Sequence, residues 1–266
     1  MQIEPVATFR SPFPEKFGIP RQSGVAAGLR GRIVLEPAFR DPSALRGLGD
    51  FDYIWLIWEF SGNRPATAGS GCSAPRDKTA VWQPTVRPPR LGGNTRMGVF
   101  ATRSPFRPNP LGLSCVRLER IEWDGPEGPV IHVLGADLMD GTPIYDIKPY
   151  VRYADSHPEA RSGFTDTVAW EPLKVVFPWE SSGSTSSVSP SAPETANSDT
   201  SQVNPATMAS VFSSEGLEVL RDILAQDPRP PFHDDPDKIY GMAYAGYNVR
   251  FQVRDDILTV LEILPA

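Results

Sequence analysis

The residues best suited to chemistry lie between Gly92 and Gly112, where Arg96, Arg103 and Arg107 are interleaved with Asn94, Asn109 and the prolines Pro105, Pro108 and Pro110. Guanidinium groups bind carboxylates and phosphates in bidentate fashion, and amides match the edges of bases and other amides. Each proline fixes φ and removes a backbone donor, while each glycine admits close approach, so this stretch is an ordered loop rather than a regular element. From Lys78 to Arg117 there is no Asp or Glu. Lys78, Arg87, Arg90, Arg96, Arg103, Arg107 and Arg117 give this window a charge of +7, the kind of run that attracts anions. Each arginine also has a structural reading as a solvated or paired side chain.

A second constellation follows at residues 137–150. Asp140-Gly141 makes a tight turn at a strand end, presenting backbone amides and a carboxylate to whatever lies above it. Beyond the turn, Asp146 and Lys148 flank Ile147, so on a strand the two charges share one face and Ile147 points to the core. Such a pair is either a structural ion pair or a carboxylate that takes or relays a proton.

The elements that must position these groups are mainly strands. Residues 32–36, 53–60, 97–101, 113–121, 130–138, 144–148 and 168–177 are short runs rich in Val, Ile, Leu and aromatics, divided by turn chemistry such as Asp124-Gly125-Pro126. That spacing suits a barrel or sandwich. Asp41 as cap, Pro42 at the first position and Gly47 at the stop predict one short helix among them. Residues 181–205 lack Lys, Arg and aromatics and read as a flexible linker, and residues 62–79 read as a long surface loop. The chain thus divides into a β domain at 1–180, the linker at 181–205 and a small α+β domain at 206–266. In the last, Ser213 or Ser214 caps a helix carrying Leu217, Leu220 and Leu224, which ends at Asp227-Pro228. A hairpin follows from Tyr247, turning at Asp255-Asp256 into residues 257–263.

Composition excludes several classes. With a net charge of -6, bulk charge does not mark a nucleic-acid binder; only the local basic run does. No apolar stretch is long enough to span a bilayer and no leader pattern opens the chain, which predicts a cytoplasmic protein. Cys72 and Cys115 make neither a disulfide framework nor a metal knuckle, Cys115 reads as core, and His132, His157 and His233 stand in no ligand spacing, so no metal is expected. Walker, nucleophile-elbow and paired Cys-x-x-Cys motifs are absent from the sequence. Gly47-Leu48-Gly49 follows a helix and precedes an apolar run, the reverse of a dinucleotide fingerprint, and strands with so few helices between them do not build a doubly wound sheet.

Four blocks together closely resemble the TrmO (YaeB, TsaA-like) tRNA methyltransferases. They are Thr85-Val86-Arg87-Pro88-Pro89-Arg90-Leu91-Gly92-Gly93-Asn94; Gly98-Val99-Phe100-Ala101-Thr102-Arg103-Ser104; Phe106-Arg107-Pro108-Asn109-Pro110; and Asp140-Gly141-Thr142-Pro143-Ile144-Tyr145-Asp146-Ile147-Lys148-Pro149-Tyr150. Phe17-Gly18-Ile19-Pro20-Arg21-Gln22 and Ala225-Gln226-Asp227-Pro228-Arg229-Pro230 extend the resemblance over nearly the whole chain. It implies a non-Rossmann β-barrel methyltransferase domain, a homodimer, and methyl transfer from S-adenosylmethionine to N6 of threonylcarbamoyladenosine beside the anticodon of threonine tRNA, tuning decoding. Matched residue by residue, cofactor contacts fall on Gln22, Ser23, Gly24, Ser61, Gly62, Arg103, Leu113, Asp140, Gly141, Thr142 and Pro143. Ser61 and Gly62 replace larger polar residues of relatives. Asp146 is the expected proton acceptor, tuned by Lys148, with Asn109 fixing the substrate amide and Tyr150 meeting the base. Arg87, Arg90, Arg96 and Arg107, with Arg229, Tyr247 and Arg250 of the second domain, are the expected RNA contacts. Two other classes stay open: a same-fold methyltransferase for another RNA or a small molecule, and a nonenzymatic RNA-binding module.

Overall fold

Alternation of apolar and polar side chains closes the first sheet on itself. The strands are β1 (Ala7–Arg10), β2 (Arg30–Leu35), β3 (Tyr53–Glu59), β4 (Thr85–Val86), β5 (Met97–Gly98), β6 (Leu111–Glu122), β7 (Val130–Leu134) and β8 (Pro143–Pro149). Six of them form a closed antiparallel barrel in the order β1-β2-β7-β6-β3-β8, while β4 and β5 make a separate ribbon. Ile54, Leu56 and Trp58 of β3 point inward with Val116 and Leu118 of β6, Phe9 of β1 and Ile131 of β7. This computed structural model describes residues 3–63, 82–92, 94–168, 171–180, 212–230 and 235–266. Cys72, His233, the expected linker and nearly all of the 62–79 loop lie outside them.

The second sheet has the order β10-β11-β12-β9, from β9 (Lys174–Val176), β10 (Tyr240–Tyr244), β11 (Tyr247–Arg254) and β12 (Ile257–Pro265). Asp255 and Asp256 both adopt positive φ, 46° and 60°, in the tight turn joining β11 to β12. A four-residue helix α1 (Arg152–Asp155) follows β8, and α2 (Ser214–Ala225) packs on the second sheet. Ser213 caps α2 by accepting from the Gly216 N–H at 3.1 Å. Leu220, Ile223 and Leu224 bury its inner face against Val249, Phe251 and Leu258.

Four local expectations are corrected. Lys174–Val176, expected in the barrel sheet, pairs in parallel with residues 257–259 of β12. Asp41 does cap a turn, through the Ser43 N–H at 2.9 Å, but the turn is 3-10, and Gly47 at φ 83° opens a second such turn. Residues 97–101 are half strand and half 3-10 turn. Cys115 lies on the outer face of β6, half-buried rather than in the core, with its thiol pushed up chiefly by burial.

The loop joining β1 to β2 is shared between the two sheets. Phe13, Ala26 and Leu29 belong to the core of the second sheet, and the Phe13 and Tyr244 rings lie 5.1 Å apart. Gly18, at φ 90°, admits Met242: a Cβ there would stand 2.1 Å from its sulfur. The second sheet therefore braces the loop that carries Gln22, Ser23 and Gly24.

Candidate active site

Barrel closure gathers three connections at one mouth: residues 11–29 after β1, the described residues 60–63, 82–92 and 94–110 after β3, and 135–142 after β7. Every expected cofactor residue lies on these connections or on the first residues of β6 and β8. Gln22, Ser23 and Gly24 come from the first. Its Gly24 N–H donates to Gly135 O at 2.8 Å, and Gly135, at φ 75°, lies against the Gly24 backbone. Arg103 Nη1 from the second connection donates to Gln22 Oε1. Gly62 packs under Lys16 and Met139, since a Cβ there would stand 2.6 Å from Lys16 Cε and 3.3 Å from Met139 Cε. Ser61 and Gly62 are thereby set beside the Asp140 turn.

That turn differs from its sequence reading in one respect. Its amides do not face outward: Asp140 N–H donates to Phe13 O at 2.8 Å and Gly141 N–H to Phe9 O at 2.9 Å. Thr142 is buried and donates to Met139 O at 2.7 Å. The Asp140 carboxylate accepts from the Ser11 N–H at 3.0 Å and lies 3.7 Å from Arg10. A strand-end turn beside a partner strand spends its amides on that partner.

Sequence reasoning missed the polar chain beneath this mouth. Trp58 Nε1 donates to Ser114 Oγ at 2.9 Å, and Ser114 donates to Asp137 Oδ1 at 2.6 Å. Asp137 is also held by the Ser23 backbone N–H and feels the Arg103 charge, yet desolvation outweighs both and raises its pKa. A carboxylate just after the apolar strand β7 was the available signal.

The residues assigned to the reaction are placed differently. Asp146 and Lys148, and with them the expected cofactor residue Leu113, lie on the barrel's outer face, where Ile57 of β3 is opposite Leu113 on one side and Asp146 on the other. Lys148 Nζ lies 2.8 Å from Asp146 Oδ2. Leu113 is 56% exposed and Tyr53 44%, a large apolar fraction for a sheet's outer face. Tyr150 packs its ring 6.1 Å from those of Tyr53 and Trp55, at the far end of the strands from the mouth. Asn109 is exposed, and its carbonyl accepts from the Leu111 N–H at 2.7 Å as β6 begins.

The expected RNA contacts separate into two groups. Arg107 is committed locally: Nη1 donates to Thr102 O at 2.6 Å and Val99 O at 3.2 Å, and its guanidinium covers Phe100. Arg229 is paired with Asp227, Arg250 with Glu262, and Tyr247 packs edge-on to Phe212. Arg96 donates to Thr85 Oγ1 at 2.9 Å but remains exposed, as do Arg87 and Arg90. Among the described residues no helix is long and apolar enough to cross a membrane, and no group of His, Cys, Asp or Glu could hold a metal ion.

A closed antiparallel barrel whose loops gather an arginine, amides and carboxylates at one mouth, beside a small α+β unit, defines a non-Rossmann, two-part architecture with a single-ended polar site. Known proteins of this architecture place the chain. The family model for the tRNA-methyltransferase O N-terminal domain matches residues 8–156 and that for the TrmO C-terminal domain matches residues 197–266. The chain belongs to the TrmO family. It is 35% identical to the tRNA (adenine(37)-N6)-methyltransferase of Escherichia coli K12, over 99% of this chain and 98% of that one. It is 38% identical to the protein of the same name from Eikenella corrodens, over 80% of this chain and 97% of the other. A crystal structure of TrmO from Pseudomonas aeruginosa superposes with a TM-score of 0.68 at 31% identity, covering 100% of this chain and 97% of that one.

Proposed function

We propose that the chain is a cytoplasmic S-adenosylmethionine-dependent methyltransferase, acting as a homodimer on N6 of the threonylcarbamoyladenosine beside the anticodon of threonine tRNA and thereby tuning decoding. The observation that carries this reading is the convergence of three loops at one barrel mouth, with Arg103, Gln22, Ser23 and the Asp140 turn within it. The family relationship supports the same activity.

The donor set at the mouth fits that cofactor. Arg103 is exposed and held by Gln22, suited to an amino-acid carboxylate; the half-exposed Asp140 carboxylate suits an ammonium or ribose; and Leu113, on the outer face just beyond the mouth, offers an apolar surface to a base. Gly24, Ser61, Gly62, Gly141, Thr142 and Pro143 frame the same space. Bound there, S-adenosylmethionine supplies an electrophilic sulfonium methyl. The chain's own residues supply alignment and proton transfer. The acylated N6 nitrogen is a weak nucleophile, so holding it in line accounts for most of the acceleration. Asp146 Oδ2, fixed by Lys148 at 2.8 Å, accepts the N6 proton, and Asn109 at the mouth orients the substrate amide. Arg87, Arg90 and Arg96, exposed on one basic loop, steer the tRNA backbone.

The homodimer reading rests on the outer face of β6, β3 and β8. It joins exposed Leu113 and Tyr53 to Asp146, and a second copy seated there covers the apolar surface while enclosing the carboxylate. Methyl transfer from labelled S-adenosylmethionine to tRNA with and without the threonylcarbamoyl group tests the whole reading. Label at N6 only when that group is present is the expected result. Transfer to another RNA or to small molecules alone points to the same-fold alternative, and absence of both cofactor binding and transfer points to an RNA-binding module.

A further inference from the structure

Large rings are costly to leave in water, yet Phe100 is 73% exposed, more than any other phenylalanine or tryptophan among the described residues. Its exposure is built into the backbone. Phe100 is the middle residue of a 3-10 turn at Val99–Ala101. Val99 before it is buried, and the Val99 N–H donates to Pro84 O at 3.0 Å. After it, Thr102 returns its N–H and Oγ1 to Val99 O, at 3.2 Å and 2.9 Å. Successive side chains of such a turn diverge by about 120°, so the inward Val99 sends Phe100 outward. Arg107 lies over one face of the ring, with its guanidinium carbon 5.6 Å from the ring centroid, and is kept there by the Val99 and Thr102 carbonyls. The ring is thus fixed from behind, and its other face is open.

The surroundings carry charge of one sign. Exposed Arg87, Arg96 and Arg103 share the loop, and no Asp or Glu occurs between Lys78 and Arg117. A fixed aromatic face inside a cationic surface is the combination that holds single-stranded nucleic acid, with arginines following the phosphates and the ring stacking on a base. A second copy of the chain suits it less, because a two-fold contact through this loop sets like charges together.

We propose that Phe100 is a stacking platform for one unpaired base of the tRNA substrate, beside the nucleotide that is methylated. The platform rests on the tRNA reading above and deepens it. Three residues separate Phe100 from Arg103, at most about 11 Å of chain, and Arg103 is tied to Gln22 at the mouth, so a base on the ring belongs to a nucleotide close to the target. Because the ring is fixed beforehand, stacking costs little side-chain freedom. Loss of a stacking face of this kind weakens binding about 5- to 150-fold.

The test uses the full chain with S-adenosylhomocysteine bound. Affinities for an anticodon stem-loop carrying threonylcarbamoyladenosine are measured by fluorescence anisotropy over a salt series, for the parent, Phe100→Leu and Phe100→Trp. The series is repeated with each loop nucleotide except the target made abasic in turn. Phe100→Leu should lose about tenfold with parent-like melting and an unchanged salt slope, since no charge is removed, whereas Phe100→Trp keeps the face and should bind at least as tightly as the parent. In the parent, one abasic position beside the target should cost about as much, and that cost should vanish in Phe100→Leu, the coupling expected of a base and a ring in contact. The platform is overturned by Phe100→Leu that binds as the parent does, by a loss that is the same at every abasic position, or by Phe100→Trp that binds no better than Phe100→Leu. A loss that tracks dissociation of the dimer in sedimentation velocity, with affinity per dimer unchanged, gives the ring to a second copy and overturns the platform as well. Parent protein that neither binds nor methylates modified tRNA overturns the functional reading and the platform with it, whereas a methylating parent with normal binding by Phe100→Leu overturns the platform alone.

Discussion

Gly112 lies inside the barrel mouth, opposite Trp58 on the neighbouring strand. A Cβ at this position would stand 2.3 Å from Trp58 Cε2 and 2.4 Å from Cζ2, so in Gly112→Ala the buried indole must move. Overpacking of this kind costs about 1–3 kcal/mol. The shift also pulls Trp58 Nε1 from Ser114 Oγ, now 2.9 Å away, leaving a buried donor unpaired at about 1–3 kcal/mol more. Together these give about 2–6 kcal/mol, or a melting temperature lowered by roughly 4–24 °C at about 2–4 °C per kcal/mol. Thermal unfolding followed by tryptophan fluorescence, with urea titration for the free energy, measures it. Because Ser114 supports Asp137 and Asp137 holds the Ser23 N–H, cofactor affinity should fall as well. A double-mutant cycle with Trp58→Leu separates the clash from any strain in β6 itself: removing the indole should make the alanine nearly harmless. Parent-like melting of Gly112→Ala, or an equal loss in the Trp58→Leu background, would refute the reasoning.

Three further outcomes are expected. Asp137 has its pKa raised by burial, so the stability linked to its proton is present below the ordinary carboxylate range and is lost as pH rises through the raised value. Asp137→Asn should therefore gain stability relative to the parent from about pH 4 upward; a pH-independent difference in urea midpoints counts against this. Asp146→Asn should lower turnover by about 10²–10⁴ while leaving the cofactor dissociation constant unchanged by calorimetry, and surviving turnover would make the Asp146–Lys148 pair structural. Arg107→Ala should lower the melting temperature without changing the salt slope of tRNA binding, since its guanidinium serves the Val99 and Thr102 carbonyls and Phe100, whereas Arg87→Ala should reduce the slope by about one and leave melting unchanged. The reverse pattern would exchange their roles.

How much of this could be read from the sequence depended on the range of the interactions. The strands β3 and β6, the Ser213 cap and the Asp255-Asp256 turn are set by neighbours a few residues away, and each has its expected form. Residues 174–176 were legible as a strand, but their partner in β12 lies more than eighty residues on, and an apolar run carries no record of which edge it joins. The candidate site shows the same division. Arg103, Gln22 and the Asp140 turn were legible as polar punctuation in loops, whereas Asp137 was hidden because its partners, Ser114 and Ser23, come from other elements. The arginines of the basic run look alike in sequence. Only the fold shows that Arg107 is spent on carbonyls while Arg87 stays exposed.

The barrel geometry also limits which groups can act on one reacting atom. Pro143 opens β8 at the mouth, and at about 3.3 Å per residue Asp146 lies roughly 10 Å along it, Lys148 roughly 17 Å and Tyr150 roughly 23 Å. A methyl donor seated on the Asp140 turn can therefore present its methyl to a nucleotide that also touches Asp146, but that same base cannot reach Tyr150 of the same chain. Tyr150 instead packs with Tyr53 and Trp55, extending the apolar outer face toward the other end of the barrel. Asp146 stands where the mouth and this face meet, so covering the face with a second copy would exclude water from the carboxylate proposed to take the proton. In that arrangement Tyr150 acts on the reaction through assembly. Its replacement by Ala should weaken dimerisation before it lowers the turnover of preassembled protein, and turnover that falls at protein concentrations where the dimer is intact would return Tyr150 to the substrate's side.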